Sequence, residues 1–407
     1  MKKRLLSVLL FVVVIVPTII AESISYTNPV IARSAPDPTV LRAGDGYFYL
    51  YATEDIRNTP IFRSQNLVDW TLIGTAFTNS TRPTFEPKGG LWAPDINYIN
   101  GLYVLYYSMS VWGGEQTCGV GVATSQHPQG PFTDKGKLFR SNEIGVQNSI
   151  DPFYIEDNGK KYIFWGSFSG IYYVELSDDG LALKNPASPQ PVQIAGTAFE
   201  GTYIHKRDGY YYLFASRGSC CNGLNSTYQL VVGRSASLTG PYLSKQGGSM
   251  MSNAYTLVVG SNSRFVGNGH CSEIVQDEAG NDWMFFHGWD VNNSGNGRVL
   301  LLNKISWDRS GWPYVTSSSP SITADAPVFG ASGVDNITET SVQLQVDGSS
   351  LDIKSSYPVK VKIYTTGGQM VGSIDVNGQS RTELTVGIYL IQISSNNDSM
   401  VRKIAIK

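Results

Sequence analysis

The chain reads as an all-β protein, a five-bladed β-propeller followed by a small C-terminal β-sandwich, and three observations predict this. A hairpin unit recurs five times between residues 37 and 286. The composition is short of charge and rich in glycine and aromatics: of 407 residues, 16% are charged, 12% are aromatic and 42 are glycine, where ordinary globular chains carry about 25% charged residues and about 7% glycine. After residue 317 the composition changes, and all eight tryptophans lie at or before Trp312.

At the N-terminus, Met1-Lys-Lys-Arg4 is followed by an apolar run from Leu5 to Val16 and by Pro17-Thr-Ile-Ile-Ala21. This is the order of a secretory signal peptide over residues 1–21. The apolar run is shorter than the ~20 residues that span a bilayer, so the mature chain is expected to have no membrane span; a monomer is expected. A net charge of -2 with 42% hydrophobic residues excludes a disordered polyelectrolyte. A sequence pI of about 6.1 leaves no broad basic surface, so nucleic acid is not an expected partner.

The repeats begin at Asp37, Asp95, Asp151, Glu200 and His270, 49 to 70 residues apart. Each runs from a polar residue through an extended segment and a glycine-marked turn into an aromatic strand, as in Glu200-Gly-Thr-Tyr-Ile-His-Lys-Arg-Asp-Gly-Tyr-Tyr-Tyr-Leu-Phe214. Third strands are expected at 61–64, 120–125, 171–175, 230–235 and 299–304. Five four-stranded units arranged radially make a propeller over residues 28–316. A linker is expected at 317–334, where Ser317-Ser-Ser-Pro320 and Thr323-Ala-Asp-Ala-Pro-Val328 lie. Alternating runs such as Val359-Lys-Val-Lys-Ile-Tyr364 and Gly387-Ile-Tyr-Leu-Ile-Gln-Ile393 predict the β-sandwich at 335–407.

Export permits disulfides among Cys118, Cys220, Cys221 and Cys271. Adjacent cysteines rarely bond to each other without strain, so buried free thiols stand equally beside disulfides. No cysteine or histidine spacing suggests zinc.

In a propeller the first strand of each blade lies nearest the axis, so Asp37, Asp95, Asp151, Glu200 and His270 are expected to converge at one mouth of the channel. For Asp95 a local capping role weighs equally. Gathered acids are costly unless they do chemistry or bind an ion. Glycoside hydrolysis needs two carboxyl groups across a sugar cleft, one protonated and one ionised. A third carboxylate or burial can keep the acid protonated. Asp37, Asp151 and Glu200 can fill these roles, and the proline after each aspartate is expected to hold it extended.

These residues resemble a known family. Ala35-Pro-Asp-Pro38, Leu91-Trp-Ala-Pro-Asp95, Asn148-Ser-Ile-Asp-Pro152, Trp165-Gly-Ser-Phe168, Phe199-Glu-Gly-Thr-Tyr203 and Gly267-Asn-Gly-His270 look like the signature of glycoside hydrolase family 43. Cys220-Cys-Asn-Gly223, Ser226-Thr-Tyr228, Val232-Gly-Arg-Ser235 and Phe286-His-Gly-Trp-Asp290 look most like its endo-acting α-1,5-L-arabinanases. The resemblance implies inversion at the anomeric carbon, with Asp37 as general base, Glu200 as general acid and Asp151 raising the Glu200 pKa. It also implies that His270 helps hold a metal ion, usually calcium, through a water shell, although calcium prefers oxygen; a hydrogen-bonded channel histidine is the other reading. Inversion implies Asp37 and Glu200 carboxyls about 6.5 to 9.5 Å apart.

Sugar contacts are expected from Trp92, Phe168 and Trp112-Gly113, and from the segments holding Asn148, Ser149, Ile150 and Ser167, together with Asp37 and Asp151. The expected substrate is arabinan or an arabino-oligosaccharide. An exo-acting arabinofuranosidase or β-xylosidase, or a non-catalytic glycan-binding propeller, are the alternatives. The C-terminal region resembles the sorting domain of type IX secretion cargo, which implies the type IX machinery as partner. The expected destination is the exterior or cell surface of a Gram-negative bacterium, after export across both membranes.

Overall fold

The computed structural model describes residues 24–329, 342–365, 368–395 and 399–406. The signal peptide expected at 1–21 lies outside them. The described residues are almost entirely strand, and no helix among them is long and apolar enough to cross a membrane.

Five antiparallel sheets follow one another along the chain. The first contains Thr39–Arg42, Phe48–Tyr51, Pro60–Ser64 and Thr71–Thr75. The second contains Gly90–Ile99, Leu102–Ser110, Gly119–Ser125 and Thr133–Arg140. The third contains Phe153–Asp157, Lys160–Trp165, Ile171–Glu175 and Val192–Ala195. The fourth contains Glu200–Arg207, Tyr210–Arg217, Gln229–Ser235 and Thr256–Val259. All five third strands fall where the sequence places them. In the fifth sheet Asp282–Asp290 pairs on one side with Phe265–Gly269 and Val275–Gln276, and on the other with Arg298–Trp307. The fourth strand of this sheet comes from the other end of the chain: Ile31–Ser34 pairs with Arg298–Trp307.

Apolar clusters fill the spaces between successive sheets. Tyr49, Tyr51 and Ile61 meet Leu91, Leu105 and Tyr107 between the first and second. Val104, Tyr106 and Val120 meet Ile163 and Trp165 between the second and third. The circuit closes where Phe48, Leu50 and Phe62 of the first sheet pack against Phe285, Leu300 and Leu302 of the fifth. Strands buried on both faces require apolar and aromatic residues at most positions, which accounts for the low charge fraction.

Two expectations about the first strands need correction. Asp37 and Asp151 are not extended: their φ values are 55° and 61°. Proline disfavours only the right-handed helical region for the residue before it, and here the chain takes the left-handed one. Ala93, Gly201 and His270 do the same at φ 40°, 63° and 50°. The structural register of the repeat is therefore Asp37, Ala93, Asp151, Gly201 and His270, one kinked residue per sheet. Asp95 stands two places beyond this position and Glu200 one place before it. A left-handed non-glycine residue costs roughly 1–2 kcal/mol, and its recurrence at one mouth of the sheets is where strain is expected to serve a site.

Residues 317–329, expected as part of a linker, are largely folded onto the sheets. Thr323–Asp325 pairs with Ser25–Thr27, and Phe329 is buried against Phe48. Apolar burial outweighs the polar, proline-containing composition there. Residues 330–334 lie outside the described residues. Cys220 and Cys221 are disulfide-bonded to each other, the pairing the sequence argument disfavoured; an irregular, largely exposed loop accommodates it. Cys118 and Cys271 are buried free thiols.

The C-terminal strands Val342–Asp347, Ser350–Thr365, Met370–Glu383, Gly387–Ser394 and Ser399–Ile406 form one hydrogen-bonded sheet. Alternate residues Leu351, Ile353, Val359, Val361 and Ile363 of the long second strand join a single apolar core, as period-two patterning requires.

Candidate active site

Three carboxyl groups from three sheets influence one another at the kinked ends of the first strands. Asp37 precedes the first sheet, Asp151 precedes the third, and Glu200 opens the fourth; all three are buried.

Asp37 is held from every side. Its Oδ2 accepts the Thr53 hydroxyl at 2.6 Å, and its Oδ1 lies 3.2 Å from the Arg298 guanidinium, 3.3 Å from His270 Nδ1 and 3.1 Å from His287 Nδ1. Burial alone would raise this carboxyl. The charge of Arg298, the largest influence opposing burial, holds it well below the usual carboxylate range. Asp37 is therefore the ionised member of the set.

Asp151 and Glu200 form the opposite case. Burial comes first for both and raises them, and for Asp151 the neighbouring charges of Glu200 and then Asp37 add to it. The Gly201 N–H donates to Asp151 at 3.1 Å, and the Asp151 N–H donates to Ser108 Oγ at 2.8 Å. Glu200 accepts the Ser167 hydroxyl at 2.6 Å. The two titrate as a coupled pair that retains a proton where an exposed carboxyl would have lost it. The main lift on Glu200 is burial, and the charges of Asp37 and of its partner Asp151 add to it.

Glycine is required beside Glu200. A Cβ at Gly201 would lie 3.1 Å from His270 Nδ1, and φ there is +63°. His270 is partly buried, and desolvation lowers its pKa, so the ring is neutral. Among the described residues no group of three or more His, Cys, Asp or Glu is arranged to hold a metal. A cation here would have His270 as its protein ligand and water for the remainder.

Asp95 is not brought to the three carboxyls. Its Oδ2 accepts the Tyr154 N–H at 2.7 Å and the Asn97 amide at 2.8 Å. The carboxyl that acts on it is Glu273. Glu273 accepts the Thr39 hydroxyl at 2.8 Å and the Val40 N–H at 2.7 Å. Two places along the strand from the kink, a buried carboxyl pair thus clips the first, second, third and fifth sheets together.

The expected sugar contacts divide. Phe168 is 42% exposed and Trp112 is 80% exposed, with Trp112 against Trp92 at 5.5 Å between ring centroids; these aromatic faces are free to meet a sugar. Gly113 is exposed in a left-handed turn. Asn148 uses its amide to donate to the Ser167 carbonyl at 3.0 Å, and Ile150 is buried. Ser149 must be corrected: its hydroxyl is fully buried, donating to the Val146 carbonyl at 2.8 Å and accepting the Trp165 indole N–H at 3.0 Å. Ser167 is spent on Glu200 and does not face a sugar.

Sequence reasoning missed Arg298, Thr53, Ser108 and Glu273, and did not give His287 or Tyr228 a role. Arg298 carried one signal, an arginine opening an apolar strand in a chain short of charge. Replacing it by Gln is expected to raise the Asp37 pKa. A base must be ionised, so the acid limb of the kcat/KM profile then moves to higher pH; an unmoved limb would show that Arg298 does not set it.

Comparison with known proteins now bears on the site. Residues 26–313 match the family described as glycosyl hydrolases family 43, and residues 342–407 match the secretion system C-terminal sorting domain. The chain is 36% identical over 308 residues to an extracellular exo-α-(1→5)-L-arabinofuranosidase of Cellvibrio japonicus, covering 69% of this chain and 85% of that protein. It is 35% identical over 289 residues to an extracellular endo-α-(1→5)-L-arabinanase of Bacillus subtilis, covering 68% and 86%. The solved structure of a Cellvibrio cellulosa α-L-arabinanase complexed with arabinohexaose superposes with a TM-score of 0.63 at 33% identity, over 70% of this chain and 96% of that one.

Proposed function

The chain belongs to glycosyl hydrolases family 43, and from that premise we propose that it is a secreted, monomeric endo-arabinanase that cleaves internal α-1,5-L-arabinofuranosidic bonds with inversion. One observation carries the reading: an ionised Asp37 stands against a proton-retaining Asp151 and Glu200 pair, the split of protonation states that glycoside hydrolysis requires. The five sheets, whose apolar clusters close from last to first, are read as the blades of a five-bladed propeller latched by the N-terminal strand. The long C-terminal strands are read as folding over their core into a sandwich.

In this mechanism Asp37 removes a proton from a water molecule as the water oxygen bonds to the anomeric carbon. The bond from that carbon to the glycosidic oxygen breaks on the opposite face, and Glu200 gives its proton to the departing oxygen. Asp151 hydrogen-bonds the backbone beside Glu200 through Gly201 and keeps the acid in place. Trp92, Trp112 and Phe168 offer flat apolar faces for sugars. Trp92 is tied to the base, since the next residue, Ala93, donates its N–H to the Thr53 hydroxyl that holds Asp37.

The exposed Trp112 supports endo action, because it offers a contact for a sugar beyond those being cleaved. On debranched arabinan the first products are expected to be a ladder of oligosaccharides. Arabinose alone from the earliest time point would instead favour the exo reading, which the Cellvibrio japonicus relative supports. A calcium ion with its water shell on His270 is part of the proposal: EDTA is expected to lower the melting temperature and added calcium to restore it, and an unchanged melt would remove calcium from the account. The C-terminal domain is read as the address for type IX export across both membranes, and the extracellular relatives agree with a secreted protein.

A further inference from the structure

The base and the acid belong to different sheets, and a single buried stack joins them from behind. His287 is fully buried on the second long strand of the fifth sheet. Its Nδ1 accepts the Asp37 backbone N–H at 3.2 Å, which leaves the ring proton on Nε2, an atom with no hydrogen-bond partner among the described residues. Burial pushes its pKa down to about 4, so the ring is neutral. The imidazole lies flat on the Tyr228 ring, with centroids 5.5 Å apart and planes 12° from parallel. Tyr228 is itself buried, and its phenol acts on the Glu200 carboxyl. Room for the phenol ring comes from Gly269, where a Cβ would lie 2.4 Å from it.

We propose that the stacked His287 and Tyr228 are positioning residues, a rigid buried plate that sets the spacing between Asp37 and Glu200. The inference rests on the catalytic roles proposed above for those two carboxyls. It differs from a simple packing role because each ring engages one end of the reaction, His287 through its hydrogen bond with the Asp37 backbone and Tyr228 through the interaction of its phenol with the Glu200 carboxyl. A second consequence follows from the direction of the phenol bond. An O–H donated to a carboxyl favours its ionised form, so Tyr228 offsets part of the burial that raises Glu200. Ser167 acts in the same sense. The charged and titratable groups around this pair are Asp37, Asp151 and Arg298 beside Glu200, with neutral His287 beneath Tyr228.

The test is the pH profile of Tyr228→Phe, which keeps the stack and removes the hydroxyl. With one bond favouring ionised Glu200 lost, its pKa rises. The acid must be protonated to act, so the alkaline limb of kcat is expected to move up by about one pH unit, with KM within twofold of wild type. Tyr228→Ala removes the plate, and kcat is expected to fall about a hundredfold at unchanged KM. If the alanine variant does not fold, the phenylalanine variant decides. An active wild type, an inactive Glu200→Gln and an unmoved alkaline limb in Tyr228→Phe would overturn this inference alone. A wild type that leaves arabinan intact, or a Glu200→Gln that cleaves as fast, would overturn both it and the proposed function.

Discussion

Glu200→Gln and Asp37→Asn are each expected to lower kcat on arabinan by about 10²- to 10⁴-fold, the usual contribution of a positioned general acid or base, without unfolding the protein. The two losses should differ in kind. A departing group that is stable as an anion does not need a proton, so an aryl arabinoside with a good leaving group should recover most of its rate in Glu200→Gln. Asp37→Asn should recover nothing on that substrate, because the attacking water still lacks its base. Steady-state kinetics on both substrates, with the anomer of the first product read by NMR, distinguish the roles. Equal losses on both substrates would remove Glu200 from the role of acid. A product that keeps its anomeric configuration would replace inversion by retention. The amides preserve shape, but the change at Asp37 leaves a buried neighbour less well paired. Asn at 37 faces Arg298 without a negative charge, so some loss of melting temperature is expected there and not at Glu200→Gln.

The second large effect concerns stability. Burial, and then the charge of Glu273, raise Asp95 well above the usual carboxylate range; burial raises Glu273 as well. The folded pair therefore holds a proton that the unfolded chain releases near pH 4. Where the folded state binds more protons than the unfolded, stability falls as pH rises. The stabilisation is complete below the unfolded value and is lost progressively as pH climbs toward the raised one. Tyr106, Tyr154, Tyr203 and Cys271 lie around the pair and are themselves pushed up. Glu273→Gln carries the donor permanently. Its melting temperature is expected to decline less than that of wild type between pH 5 and pH 9. Glu273→Ala is expected to cost about 3 kcal/mol, the price of breaking a buried pair, since Thr39 and Val40 lose their acceptor and Asp95 loses its partner. Parallel pH dependence in wild type and Glu273→Gln would show that the pair does not share a proton.

Legibility in the sequence followed the range of the interactions. Hairpin turns and strand alternation are local, so glycine beside Asp or Asn marked the turns, and all five third strands were placed. Asp37, Asp151, Glu200 and His270 were legible because each sits at, or next to, a repeated place in the chain. Asp95 occupied a similar place by alignment of side chains, yet the backbone kink belongs to Ala93, and a two-residue offset sends its carboxyl to Glu273 instead. Ser149 looked polar and available, and only packing shows that Val146 and Trp165 consume its hydroxyl.

By itself the sequence determined the class of fold, the count of hairpins, the family and three of the four acids expected to meet. Each of these depends on local periodicity or on short motifs in order along the chain. The tertiary structure alone decided which carboxyl is ionised. Arg298 stands 261 residues from Asp37 and His287 stands 250 away, and both reach it because the fifth sheet takes its last strand from the N-terminus and lies beside the first. Protonation depends on burial and on charges a few ångströms away, and no local pattern records such distances.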